Sequence, residues 1–300
     1  MSIKKHPVLI VSVILGAAVI FLGTVMYIIS SFFISPSPGI GFSDKIGVIE
    51  ISGELSDCGD ILQQLREFKK NKNIKAVILR IDSPGGGVGA SQEIYREITK
   101  VTETKKVIVS MGDTAASGGY YIASAGDVIV ANPGTITGSI GVIMSYIRID
   151  ELSKKLGFTL EVIKSGEFKD TGSPYRELTE REKDLMNSVV LNIQEQFIKA
   201  VAEGRNLPVE KVRDIADGRI LSGEMAMELG LVDQLGNFWD AVAVAAELSG
   251  IEGEPILVYP ETPKLRLWDI IFQSASKALF KSFSDNIRPV IEYRWNNLSD

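Results

Sequence analysis

Apolar positions along the chain fall into three regimes. From Pro7 to Ser30 they are almost unbroken: PVLIVSVILGAAVIFLGTVMYIIS contains no acidic or basic side chain. A membrane-spanning helix needs about 20 such residues, whereas a cleavable leader carries an apolar stretch of only about 7–15. Ser31, Phe32 and Phe33 follow, without a small-x-small cleavage pattern. The pattern therefore predicts an uncleaved transmembrane anchor over residues 7–30. Lys4 and Lys5, in a stub of residues 1–6, would stay in the cytoplasm by the positive-inside tendency, which places the remainder outside it. Residues 31–44, with SPSPGIG, read as a stiff linker off the membrane.

The second regime begins at Lys45. KIGVIEISG (Lys45–Gly53), IKAVILRID (Ile74–Asp82), VIVSM (Val107–Met111) and DVIVA (Asp127–Ala131) are short, nearly continuous apolar runs. Between them, Asp57–Lys70, Ser91–Val101 and Ser117–Ala125 have helical spacing. Continuous apolar strands alternating with helices predict an α/β domain whose mainly parallel sheet is covered on both faces.

In the third regime helices dominate. Thr179 and Glu182 form a capping box, after which Leu185, Met186, Val189, Val190, Ile193, Phe197 and Val201 share one helical face. Gly204 is placed to stop that helix. Two shorter helices and a return strand complete a domain over 45–260. Residues 261–300 read as an amphipathic tail, with Trp268, Ile271, Phe272, Ala275, Leu279 and Phe283 at 3–4 spacing. Such a helix would pack on the domain, on a neighbouring copy, or on a membrane surface.

Composition narrows the chemistry. The 300 residues are 45% hydrophobic with a formal net charge of −6, so the basic excess that phosphate binding needs is missing and nucleic acid is not expected as a partner. Cys58 is the single cysteine, which leaves no intrachain disulfide and no cysteine-based zinc cluster. His6 is the single histidine and precedes the apolar span. Neither a Ser-His-Asp triad nor histidine-ligated zinc can be built from this sequence beyond the anchor.

Ser117 lies in MGDTAASGGYYIAS, at a strand-to-helix junction among small residues. The setting is similar to a nucleophile elbow, although Ala115 breaks the strict G-x-S-x-G, and a helix cap or packing residue would look the same. An activated serine without histidine needs a lysine base, kept neutral by desolvation against an ordinary pKa near 10.4. The expectation is a buried lysine close to Ser117. Composition leaves Lys154, Lys155, Lys164 and Lys169 as equal candidates. The second glycine cluster, IDSPGGGVGA (Ile81–Ala90), ends a strand and opens a helix. It can present backbone N–H groups to an oxyanion, serve as a relaxed dinucleotide fingerprint with Asp113 ending the next strand, or simply turn the chain.

DSPGGG (Asp82–Gly87), AASGGYYIAS (Ala115–Ser124), TGSIGVI (Thr137–Ile143) and KSGEFKDTGSP (Lys164–Pro174) occur in that order. Together with DGRILSGEMAMELGLVDQLG (Asp217–Gly236), they resemble the signal peptide peptidase A family of membrane-anchored Ser-Lys proteases. That resemblance covers about 45–259 and implies a Clp-protease/crotonase-like fold of ββα repeats with a helical C-terminal part. It implies Ser117 as nucleophile, Lys169 as general base and Ser139 as the hydroxyl that orients the lysine. The backbone N–H groups of Gly86 and Gly118 become the oxyanion hole, with Gly85 the alternative to Gly86. No cofactor, metal or nucleotide is implied. The implied substrates are signal-peptide remnants and other unfolded hydrophobic segments, beside a lipid bilayer. By the same resemblance, a chain half the length of the duplicated members implies a ring, octameric in similar short forms, with Ser117 of one subunit meeting Lys169 of the next. Close rivals are a related protease that cuts stomatin-like membrane proteins, a crotonase-type acyl-CoA enzyme, and a catalytically silent scaffold.

Overall fold

The structure, a computed structural model, describes residues 16–25, 44–260 and 290–294. The chain divides into two compact units, Met1–Ser43 and Asp44–Asp300. In the first, residues 16–25 form a helix (α1). Thr24 Oγ1 donates to the Ile20 carbonyl at 3.0 Å and the Phe21 carbonyl at 2.8 Å, closing its last described turn. No helix among the described residues is long and apolar enough to cross a membrane. The rest of the expected anchor, Pro7–Ser30, and nearly all of the linker lie outside the described residues.

In the second unit, six strands run parallel: β1 (Lys45–Ser52), β2 (Ile74–Ser83), β4 (Lys106–Ala116), β5 (Val128–Ala131), β9 (Gln234–Leu235) and β10 (Ile256–Val258), in the order β10-β1-β2-β4-β5-β9. Side chains alternate between the two faces of a strand, and both faces here are dry. Ile49 and Ile51 of β1, Val77, Leu79 and Ile81 of β2 and Val107 and Val109 of β4 join one core. Ile46, Val48, Ala76, Ile78 and Ile108 join a second core. This is why the strands read as unbroken apolar runs rather than alternating ones.

Helices supply the cover with residues at 3–4 spacing. The first core is closed by α2 (Gly59–Lys70) through Leu65 and Phe68, by α3 (Val88–Thr102) through Ile94, Ile98 and Val101, and by α4 (Gly118–Ala123). Ala241, Val242, Ala245 and Ala246 of α9 (Phe238–Ser249) seal the second. The mixed α/β fold with a mainly parallel sheet is as the pattern predicts, with boundaries moved by a few residues.

The long helix α6 (Glu180–Gly204) starts at the expected capping box: Glu182 N–H donates to Thr179 Oγ1 at 3.2 Å, and Thr179 N–H to Glu182 Oε2 at 2.8 Å. Two details differ from the sequence reading. Leu185 and Val189, on the expected apolar face, are exposed, and the buried apolar residues, with Phe197 and Val201, all lie in the C-terminal half. Gly204 is the helix's last residue, but its backbone is not left-handed; a side chain there would collide with the Ser124 carbonyl. Close packing, and not a turn, requires glycine.

Leu79 is fully buried in the middle of β2. Leu79→Ala should destabilise the domain by about 2–5 kcal/mol, read as a lower midpoint in equilibrium chemical denaturation of the whole chain.

Candidate active site

Strand β6 (Ile136–Gly138) pairs in parallel with the end of β4, Ala116 lying beside Gly138. The next residue on each strand is a serine. Ser117 and Ser139 thus leave the sheet side by side, and Ser117 N–H donates to the Gly138 carbonyl at 2.9 Å. Ser139 N–H donates to the Arg219 carbonyl at 2.8 Å, one residue before β8 (Ile220–Ser222), the antiparallel partner of β6. Ser117 has φ 53° and Ser139 φ 51°; with Asn206 they are the non-glycine residues of positive φ among the described residues. Such conformations cost about 1–3 kcal/mol and persist only where the surroundings dictate them. Both serines are buried. The Ser117 carbonyl accepts from Tyr121 N–H at 2.8 Å and so starts α4, which makes Ser117 a true strand-to-helix corner.

Beside this corner runs β3, the glycine strand Gly85–Gly87. Leu55 anchors it: Leu55 N–H donates to the Gly85 carbonyl at 2.8 Å, and Gly87 N–H donates to the Leu55 carbonyl at 2.8 Å. Gly85 N–H donates to Ser83 Oγ at 3.2 Å. Of the three glycine amides, Gly86 N–H is the one that these contacts leave for the opposite side, which favours Gly86 over Gly85 as a donor. A Cβ at Gly86 would lie 2.6 Å from Leu55 N and O, and one at Gly85 would lie 2.7 Å from Gly118 N. Gly118 therefore stands against Gly85, one residue from Gly86. Asp113 lies inside β4 instead of ending it, so the dinucleotide reading loses its acidic partner.

The far side of β3 is occupied. β11 (Val290–Arg294) pairs antiparallel with β3, placing Tyr293 opposite Gly86, and antiparallel with β7 (Ile143–Ser145) on its other edge. Tyr293 is fully buried. Its ring stacks on Tyr121 at 5.1 Å and meets Phe197 at 4.6 Å, and its hydroxyl donates to the Ile193 carbonyl at 3.3 Å. Tyr95 packs on Tyr121 at 5.0 Å. Burial pushes the Tyr95 phenol up to about 12 and the Tyr293 phenol up as well. The Tyr293 carbonyl oxygen would lie 3.0 Å from a Cβ at Gly118. The sequence reading missed this strand, having taken residues 261–300 as one amphipathic tail. The β-branched and aromatic run VIEYR was its signal. The helix expected over Trp268–Phe283 of that tail lies outside the described residues.

Lys169 does not reach Ser117 within the single chain, where the expected contact between subunits has no counterpart. It is exposed, in a turn where its N–H donates to the Gly166 carbonyl at 3.2 Å, and no hydrogen bond joins it to Ser117 or Ser139. The physical reason is local: the segment around it, with Phe158 and Ile163 exposed, is not covered by the other described residues of the chain. Lys154 and Lys155 end the exposed helix α5 (Asp150–Lys155), and Lys164 is paired with Asp170 at 2.6 Å. Asp170 also binds Arg176, and Arg176 binds the buried carboxylate of Glu182 at 2.6 Å.

A parallel sheet with a strained, buried serine at a strand end, beside a glycine strand that pairs with an extended segment, is an arrangement suited to a peptidase. The model of peptidase family S49 matches residues 99–252, and that of Clp protease residues 46–133. A Synechocystis protein named "Putative protease slr0021" is 45% identical over 214 residues, covering 71% of this chain and 77% of that one. "Putative signal peptide peptidase SppA" of Enterococcus faecium is 38% identical over 212 residues, 66% of this chain and 62% of that protein. "Serine protease SPPA, chloroplastic" of Arabidopsis thaliana is 36% identical over 247 residues, 77% of this chain but only 36% of that protein. The chain belongs to peptidase family S49 and is a serine peptidase of Clp-protease-like fold.

Gly86→Ala would push a methyl group into the Leu55 backbone. A loss of about 100-fold or more in kcat, the scale of one oxyanion donor, is expected on an unstructured peptide. Unchanged far-ultraviolet circular dichroism would show that the fold survives.

Proposed function

We propose that the chain is a membrane-anchored endopeptidase that degrades signal-peptide remnants and other unfolded hydrophobic segments through a Ser-Lys dyad. The observation that carries this reading is the pair of strained serines, Ser117 and Ser139, at adjacent strand ends beside a glycine strand on which an extended segment is already seated. β11 lies as a peptide substrate would, adding a strand between β3 and β7, with its Tyr293 carbonyl beside Gly85 and Gly118. Backbone pairing of this kind needs an unfolded substrate and is indifferent to most of its sequence. The name of the Enterococcus relative supports signal peptides as the class.

The steps follow from the residues. Neutral Lys169, oriented by Ser139, takes the Ser117 proton as the hydroxyl oxygen attacks the peptide carbonyl. The N–H groups of Gly86 and Gly118 hold the resulting oxyanion, and protonated Lys169 gives its proton to the leaving amine. Water, deprotonated by the same lysine, then hydrolyses the acyl-enzyme. Ser117 is buried while Lys169 is exposed, which favours a base delivered by a neighbouring subunit. Exposed Phe158, Leu160, Ile163, Leu185 and Val189 are apolar surface that a ring, octameric by family likeness, would cover. The apolar run Pro7–Ser30 supports an anchor, with the catalytic domain outside the cytoplasm.

Ser117→Ala and Lys169→Ala should each abolish cleavage of a synthetic signal peptide, with a folded protein left intact by the wild type. Mixing the two variants after mild dissociation should restore part of the activity. Full activity in Lys169→Ala would remove the dyad. A chain ending at Pro289 lacks the strand that occupies the cleft, so its KM for the peptide should fall several-fold. An unchanged KM would mean that β11 leaves the cleft without cost.

A further inference from the structure

A lysine base must be unprotonated, and a carboxylate beside it would hold its proton. Lys169 has two such acids in its own turn, Glu167 and Asp170. Both are engaged elsewhere. Asp170 accepts from Lys164 Nζ at 2.6 Å and from Arg176 Nε at 2.9 Å. Glu167 accepts from Arg181 Nη1 at 2.7 Å, and Arg181 also lies over the Phe168 ring at 5.5 Å. Lys164 Nζ further binds the Glu167 carbonyl at 2.9 Å. No described residue pairs with Lys169 Nζ.

The cations are themselves anchored. Arg176 donates to Glu182 Oε1 at 2.6 Å and Oε2 at 2.8 Å, to the Asp170 carbonyl at 3.3 Å and to the Glu177 carbonyl at 2.9 Å. Glu182 is buried at the start of α6, where it also accepts from Thr171 Oγ1 at 3.0 Å and caps Thr179. The Arg176 guanidinium holds the Glu182 carboxyl down at about 2. Arg176, then Lys164, hold Asp170 far below the usual carboxylate range. The remaining acid of this cluster, Glu177, pairs with Arg148 at 2.9 Å.

We propose that Lys164, Arg176 and Arg181 are positioning residues that draw the carboxylates of Asp170 and Glu167 away from Lys169, leaving its amine unpaired to act as the base. Arg176 is the centre of the device, because it ties Asp170 to the buried Glu182 and so fixes the turn carrying Lys169 to the first turn of α6. This rests on Lys169 being the base.

The test is the pH dependence of kcat/KM on a signal peptide, whose rising limb reports loss of the lysine proton. In K164Q/R176Q/E182Q the buried anion is removed together with its arginine, and Asp170 is released. The midpoint of the limb should move up by about one pH unit, with rates converging on wild type at high pH. Adding D170N should return the midpoint to the wild-type value. A purely structural role would lower kcat/KM at every pH and leave the midpoint in place; that result, or an equal shift with D170N present, overturns the proposal. If the triple variant does not fold, Lys164→Gln alone decides, through a smaller shift in the same direction or none. Full activity in Lys169→Ala would instead refute the base itself, independently of the cluster.

Discussion

The absence of side chains between Gly85 and Gly118 is the constraint on which the rest depends. A Cβ at Gly85 would come within 2.7 Å of Gly118 N, and one at Gly118 within 2.6 Å of Ser91 Oγ. Only bare backbone lets the glycine strand press against the helix that starts after Ser117. That approach sets the backbone of Gly118 next to the glycine strand and leaves one open edge, on which β11 adds itself. Leu55 holds the other edge, so the strand cannot slip toward the sheet.

A strained serine needs a frame that does not yield. Ser117 and Ser139 follow paired residues of two parallel strands, and each has its N–H bonded to the backbone of a neighbouring strand or of the residue just before one. Behind them, β2 and β4 are packed on both faces, with Leu79, Val107, Val109 and Tyr120 buried. A close-packed core resists the small rotations that would relax the serine backbone. The strain is therefore stored by the same burial that made the strands legible as apolar runs.

Much of this was visible in the chain itself. Strands dry on both faces leave an unmistakable pattern, and Thr179 with Glu182 announced the long helix. Ser117 and the glycine cluster were visible as candidates because small residues crowd a strand-to-helix junction. Lys169 was not: no pattern of its own distinguishes it from Lys154, Lys155 or Lys164, and only the family likeness selected it. β11 was hidden for a different reason. Its sole local sign is the β-prone run VIEYR, too short to stand out without its partners β3 and β7, which lie more than a hundred residues away. The exposed half of α6 shows the opposite limit, since its apolar periodicity is real while its burial is not provided by the described protomer.

On the proposed arrangement the two halves of the dyad obey opposite requirements. The nucleophile must be fixed to a fraction of an ångström, and Ser117 sits buried at a backbone-bonded corner of the sheet. The base must be dry only while it works, and in the single chain it is solvated on a turn. Desolvation disfavours the charged form of a lysine, so a neighbour that covers Lys169 would favour its neutral amine at the moment of assembly. Releasing Asp170 and Glu167 to other cations removes the competing force that would keep the proton in place. An isolated chain is then chemically silent without any separate inhibitor, and the interface that completes the site also switches it on.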